Sequence, residues 1–387
     1  MPLALFALTI SAFAIGTTEF VIVGLVPTIA QQLAVSLPSA GMLVSIYALG
    51  VAIGAPVLTA LTGRLPRKQL LVALMVLFTV GNLLAWQAPG YMTLIAARLL
   101  TGLAHGVFFS IGSTIATSLV PKEKAASAIA IMFGGLTVAL VTGVPLGTFI
   151  GQHFGWRETF LAVSLLGVIA LMSSQLLIPT NIPGRAAASI RDQVKVLTHP
   201  RLLLIYAVTA LGYGGVFTAF TFLAPMMQDL AGFSPAAVSW ILLGYGVSVA
   251  IGNIWGGKLA DKHGAVPALK FIFAALFVLL MVFQVTASTQ YAALATILVM
   301  GIYVPGLQVY VVQKAEQFTP NAVDVASGLN IAAFNIGIAL GSVIGGQTVA
   351  HYGLAQTPWI GALIVLVAFL LMGVSGRLDK PVRIALE

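Results

Sequence analysis

Long apolar runs, broken at intervals by short polar, proline and glycine clusters, dominate this 387-residue chain. Each run reaches or exceeds the ~20 residues a helix needs to cross a bilayer, which is too long for buried strands. Breaking the runs at those clusters predicts twelve spans. To within a few residues they cover 3–30, 37–60, 69–88, 91–119, 124–151, 157–179, 202–229, 234–259, 265–287, 290–318, 321–350 and 356–376. The loops are short except for 180–201, which carries Pro183, Gly184 and four cations. That loop divides the chain into a six-span bundle over 1–179 and a second over 202–387 that ends in a short C-tail. The predicted fold class is an all-α membrane protein.

Composition agrees with the pattern. The chain is 59% hydrophobic and only 7% charged, whereas a soluble domain carries about 25% charged residues. Ala12-Phe13-Ala14 mimics a signal-peptide cleavage site. No Lys or Arg precedes it, however, and the apolar run continues to Ala30, so the segment reads as a retained first span. The absence of cysteine excludes disulfides, thiolate chemistry and Cys-based metal sites.

The net charge of +8 raises the question of nucleic acid, and the placement of the cations answers it. With a cytoplasmic N-terminus, 16 of the 18 Lys and Arg residues fall at the cytoplasmic face. They are Arg64, Arg67, Lys68, Lys122, Lys124, Arg185, Arg191, Lys195, Arg201, Lys258, Lys262, Lys270, Lys314, Arg377, Lys380 and Arg383. Only Arg157 lies on the opposite side, and only Arg98 lies well within a span. Basicity of this kind follows the positive-inside rule and places both termini in the cytoplasm. No nucleic-acid partner is implied.

The two halves repeat at a spacing near 198. Pro27 corresponds to Pro225, and Val51-Ala52-Ile53-Gly54 to Val249-Ala250-Ile251-Gly252. Gly143, Gly147 and His153-Phe154-Gly155 match Gly341, Gly345 and His351-Tyr352-Gly353. Internal duplication of a six-span unit is a transporter signature, with the binding site expected near the midplane between halves.

Glu19 is the only charge in the first span, and its counterpart at position 217 is Phe. A lone acid at that depth costs roughly 3 kcal/mol on insertion scales and needs a protein-lined or watery interior, with a partner or a proton. The competing reading is an acid tolerated near an interface. By helical rise, Glu19 lies about 16 Å from the outer end of its span and Arg98 about 10 Å below the same surface. The two can be direct partners or bridged by water if their spans line one cavity. His105, seven residues after Arg98, falls on roughly the same face. It is either a proton relay or a neutral imidazole bonded between helices. Phe108, Phe109, Tyr213, Phe217, Phe220, Tyr303 and Tyr310 can form an apolar pocket with polar tips, or simply pack. Asn330 and Asn335 must be paired, as glue between helices or as cavity lining.

Four motifs carry a family resemblance. Gly256-Gly257-Lys258-Leu259-Ala260-Asp261-Lys262-His263-Gly264 resembles the G-x-L-A-D-x-x-G loop of the major facilitator superfamily. In this reading Asp261 complements the positive end of a neighbouring helix. The repeat sets Gly63 against Asp261 and Pro66 against Gly264, so the first copy, with Gly63, Arg64 and Arg67, keeps cations but lacks the acid. Arg98-Leu99-Leu100-Thr101-Gly102 resembles the R-x-x-x-G motif implicated in proton coupling, and Gly143-Val144-Pro145-Leu146-Gly147 the G-x-P-x-G signature of exporters. The opening Thr17-Thr18-Glu19-Phe20, followed by Gly24-Leu25-Val26-Pro27, is similar to the arabinose-efflux and chloramphenicol-resistance type branch.

The resemblance implies the major facilitator fold in a bacterial-type inner membrane. It implies a monomeric antiporter that exports small amphipathic, drug-like or sugar-like compounds against protons, with the proton gradient in place of a cofactor. Two alternatives stand beside it. One is a facilitator or proton symporter on the same fold. The other is an intramembrane hydrolase built on Ser110 and His105, although their five-residue offset points them apart on a helix. No G-x-x-x-x-G-K-[ST] loop is present, so ATP is not the evident energy source.

Overall fold

The computed structural model describes residues 2–62, 65–121, 124–182, 190–303 and 308–378. Eleven helices among them are long and apolar enough to cross a membrane. In chain order these begin with α1 (Leu3–Gln32), α2 (Leu37–Leu58), α3 (Arg67–Trp86), α4 (Tyr91–Ser118), α5 (Ser127–Phe154) and α6 (Trp156–Leu177). The second set is α7 (Pro200–Leu230), α8 (Pro235–His263), α9 (Ala265–Thr286), α10 (Gln290–Ile302), α11 (Val325–Tyr352) and α12 (Leu354–Leu378), of which α10 is the short one.

The tenth span differs from the continuous helix expected over 290–318. It stops at Ile302, Tyr303 leaves helical geometry at φ −98° and ψ 53°, and a second helix runs Gln308–Phe318. Pro305-Gly306 follow in the sequence, a pair that disfavours a continuous helix. The long connection over 180–201 also departs from a plain loop, because it contains a helix at Ile190–Thr198.

Proline leaves marks elsewhere. Three five-residue π-turns interrupt the spans, at Gly54–Leu58, Ala139–Gly143 and Met226–Leu230. Each contains or adjoins a proline region, with Pro56, Pro145 and Pro225 respectively. A widened turn lets the helix continue where the ring would otherwise clash with the preceding carbonyl.

The duplication is visible in the backbone. Gly155 ends α5 at φ 105° and its repeat counterpart Gly353 ends α11 at φ 89°, conformations open to glycine. Gly264 does the same after α8 at φ 85°, but its counterpart Pro66 sits at φ −56°. The first copy of the motif therefore lacks the positive-φ glycine of the second at this position.

Small residues set the closest packing. Along α5, a Cβ at Gly143, Gly147 or Gly151 would run into Thr17, Val21 and Leu25 of α1 in turn. Along α11, Gly337, Gly341 and Gly345 meet the backbone of Ala210, Gly214 and Thr218 on α7 in the same way.

Contacts between the two sets of six helices run along α2 against α11 and along α5 against α8. Gly41 faces Phe222, Gly346 faces Pro38, and Gly246 lies against the backbone of Leu140 and Val141. Ser239 donates across the same seam to Gln152 Oε1 at 3.2 Å.

Candidate functional site

The site stands on α1, α2 and α4. Gly102 of α4 lies against the carbonyl of Tyr47, and Gly50 of α2 against that of Leu99. These glycines bring the two backbones close enough for side chains to cross between helices.

Arg98 is 1% exposed, and each of its guanidinium nitrogens donates to a backbone carbonyl. Nη1 donates to the Thr18 carbonyl at 2.7 Å, Nη2 to the Glu19 carbonyl at 3.3 Å and Nε to the Leu43 carbonyl at 3.3 Å. Its carbon lies 4.1 Å from the centre of the Tyr47 ring. The expected neighbourhood of Glu19 and Arg98 is present, but these bonds run to the Glu19 backbone. A cation on helix carbonyls locks α1, α2 and α4 together while remaining the nearest compensating charge.

The Glu19 carboxylate is 5% exposed. Oε2 lies 3.9 Å from His105 Nδ1, and Oε1 has no hydrogen-bond partner. His105 Nδ1 is 3.0 Å from the Tyr47 hydroxyl. The His105 ring packs 4.9 Å from Phe109. One imidazole nitrogen thus lies near both the carboxylate and the phenol; with a single in-plane site, it is bonded to the phenol here and would have to leave it to bond the carboxylate.

Glu19 also opens onto the seam between halves. Phe20, Val23, Val44, Tyr47, Ala48, Phe217 and Ile338 surround it in a narrow gap with no room for a water-sized occupant. Aromatic rings continue from there into the second half: Phe20 to Phe217 at 6.3 Å, Phe217 to Phe220 at 5.4 Å and Phe220 to Tyr245 at 4.7 Å.

The other candidates separate. Phe108 and Phe109 are buried in the core of the first half with Met132 and Phe133, so of the two only Phe109 touches the site, through His105. Tyr213 packs edge-on against Phe334 at 4.2 Å. Tyr303 lies apart, on a groove between α9 and α10. The buried Tyr310 hydroxyl pairs with Ser375 Oγ at 3.0 Å, which ties the second segment of the tenth span to α12. Asn330 Oδ1 accepts from Thr209 at 2.8 Å and joins α7 to α11. Asn335 donates to the Ile331 carbonyl, and its own oxygen is buried without a partner.

Among the motif residues, Gly143 and Gly147 seat α5 on α1, and Pro145 follows directly on a π-turn. Gly257, Asp261 and Lys262 are exposed at the end of α8, and Asp261 makes no ion pair among the described residues. Arg67 opens α3, whereas Gly63 and Arg64 lie outside the described residues. Ser110 donates to the Gly106 carbonyl of its own helix at 3.0 Å. No cluster of three His, Asp or Glu side chains that could hold a metal occurs among the described residues.

Sequence reasoning missed Tyr47, Thr18 and Asn82. Thr18 donates to Asn82 Oδ1 at 2.8 Å, fastening α1 to α3 one residue from Glu19. The available signals were a lone tyrosine in an apolar span, whose repeat counterpart is Tyr245, and a lone asparagine in the third span.

A bundle of apolar spanning helices with paired halves, and a buried charge cluster inside the first of them, is the architecture of a membrane transporter. The family model for the Major Facilitator Superfamily matches residues 8–317 and 232–385. The chain is 52% identical over 384 residues to the uncharacterized MFS-type transporter YtbD of Bacillus subtilis (strain 168), covering 98% of this chain and 97% of that one. It is 42% identical over 378 residues to the inner membrane transport protein YdhP of Escherichia coli (strain K12), covering 96% of each. The chain belongs to the Major Facilitator Superfamily. It is a multi-pass inner-membrane transporter, not an enzyme, of a family that generally needs no cofactor.

Solved structures share the fold. A bacterial homologue of the human lysosomal transporter Spinster, inward-facing and unoccupied, superposes with a TM-score of 0.77 at 16% identity, covering 97% of this chain and 96% of that one. The nucleoside transporter NupG superposes with a TM-score of 0.77 at 14% identity, covering 98% and 99%.

Proposed function

We propose that this transporter exports small amphipathic compounds in exchange for protons, with Glu19 as the proton-coupling site and Arg98 and His105 as its partners. One observation carries the reading. Glu19 is a buried carboxylate with an unpartnered oxygen, set where the two halves meet. A carboxylate so placed needs a proton, a partner or water, and movement of one half against the other changes which it can reach. Protonation and substrate binding are then coupled through the same seam, and the coupling is reciprocal at equilibrium.

The halves 1–179 and 202–387, joined by 180–201, act as the two moving bodies of a monomer with cytoplasmic termini. The aromatic residues Phe20, Phe217, Phe220 and Tyr245 support an amphipathic substrate, since they give an apolar wall opposite the polar cluster. The Gly143-Val144-Pro145-Leu146-Gly147 signature and its contact with α1 support export rather than uptake. Arabinose-efflux and chloramphenicol-resistance type exporters are the branch proposed.

The test is proton release on adding substrate to purified protein, wild type beside Glu19→Gln, together with flux into vesicles under an imposed pH gradient. Release is expected from the wild type and lost in the variant. Undiminished release from Glu19→Gln overturns Glu19 as the coupling site, and gradient-independent flux in the wild type overturns antiport.

A further inference from the structure

Far from Glu19, α9 and α10 part to leave an open groove of about 360 Å³. Phe271, Ala274, Ala275, Val278 and Leu279 line one wall, and Val299 and Tyr303 the other. Phe271, Val278 and Val299 are each about half exposed, so the groove faces outward from the bundle. Its volume is that of a small-ligand pocket, but it is open along its length and almost wholly apolar. Such a shape suits an extended hydrocarbon chain.

One end of the groove is marked by aromatic rings and cations. Trp255 of α8 lies 5.5 Å from the Tyr303 ring and 6.1 Å from the Phe271 ring. Lys258 and Lys262 follow three and seven residues later on the same helix, and both are exposed. Helical geometry places them within about 60° of Trp255 around the axis, and about 4.5 Å and 10 Å further along it. Apolar groove, aromatic rim and paired cations therefore succeed one another in the order of an acyl chain, a glycerol backbone and a phosphate. Asp261 stands about 100° around the helix from Lys262 and leaves one net positive charge on the three residues. Lys270 lies near Gly373 and Gly376 of α12, on the far side of α9.

We propose that this groove is a binding site for an anionic phospholipid, with one acyl chain between α9 and α10 and the phosphodiester at Lys258 and Lys262. Charge complementarity selects the headgroup, and the groove fixes the position. The site is separate from the seam between halves, so it stands whatever the transported substrate. It also gives the two lysines a ligand-binding role that the topological reading of the cations did not assign.

Trp255 is a built-in reporter. The full chain is reconstituted in phosphatidylcholine vesicles with increasing fractions of brominated-chain phosphatidylglycerol or, in parallel, brominated-chain phosphatidylcholine. The difference in tryptophan quenching between wild type and Trp255→Phe isolates the Trp255 signal from the four other tryptophans. Each cation near an anionic lipid contributes about 1 kcal/mol, or roughly fivefold. One net charge predicts half-quenching at about fivefold lower phosphatidylglycerol than phosphatidylcholine. The preference falls below twofold in Lys258→Gln/Lys262→Gln and rises in Asp261→Asn, whereas Lys195→Gln leaves it unchanged. A wild-type preference below twofold overturns the site, as does one that survives loss of both lysines.

Discussion

The two halves of this transporter share a framework and differ in chemistry. In each, a glycine ladder seats one inner helix on another: α5 on α1 and α11 on α7. Where the first half buries Glu19, Arg98 and His105, the second has Phe at position 217 and no charged residue anywhere in α10. Even the shared tyrosines diverge. Tyr47 bonds to an imidazole, while Tyr245 stacks on Phe220. Duplication supplied two equivalent cradles, and only the first carries these buried ionisable side chains. The other was free to become an apolar wall. Under the proposed antiport, the proton and the substrate would then sit on opposite sides of one seam.

The sharpest way to break this division is to move the charge. Glu19→Gln should abolish proton-driven accumulation. For a neutral substrate exchanged against one proton, a 100 mV potential supplies about 2.3 kcal/mol, so a gradient of about 50-fold should collapse to unity. Adding Phe217→Glu should not restore it, because the second half offers no guanidinium beside that position. Restored accumulation in the double variant would show that the halves are chemically interchangeable.

Next in size is Arg98→Ala. It removes donors from the carbonyls of Thr18, Glu19 and Leu43 at once. Helical carbonyls keep their own partners, so each loss sits near the low end of 1–3 kcal/mol, about 3 kcal/mol in all. Both the thermal midpoint and coupled transport should fall. Normal pH-driven export by this variant would take Arg98 out of the mechanism.

The glycine ladders offer a finer comparison. Gly143→Ala places a methyl group against Thr17, two residues from Glu19, and Gly341→Ala does the same against the backbone of Gly214. Overpacking should cost about 1–3 kcal/mol in each case. Only Gly143→Ala should also reduce substrate-induced proton release per molecule of folded protein. Equal reductions from the two variants would mean that the ladders serve packing alone.

How far the sequence reveals these features depends on the reach of the physics involved. The spans are legible because insertion into a bilayer imposes long apolar runs, and a buried charge such as Glu19 or Arg98 stands out against them. The break after Ile302 was signalled by Pro305-Gly306, although one apolar run covers both pieces. Partner choice was not legible. Arg98 has carboxylate and carbonyl oxygens in reach, and only the crossing of α4 over α1 decides that backbone oxygens take its donors. Likewise the aromatic candidates look alike along the chain. Packing alone sends Phe217 to the seam, Phe108 into a core and Tyr303 to an outer groove.

The smallest effect is expected at the tyrosine pair, where it is also the most specific. Tyr47→Phe keeps the ring against Arg98 and removes one hydroxyl from His105 Nδ1, a loss of about 1 kcal/mol, or several-fold. The protein should fold and bind substrate. What changes is the setting of the imidazole beside Glu19, so the dependence of transport rate on pH should shift along the pH axis. Tyr245→Phe removes the equivalent hydroxyl from a ring that packs on Phe220. Its transport rate can change through the apolar wall, but its pH profile should match the wild type. Parallel rate measurements across a pH series decide the matter. Matching shifts in both variants, or none in either, would place Tyr47 outside the proton pathway and leave the contact between Glu19 and His105 to act without it.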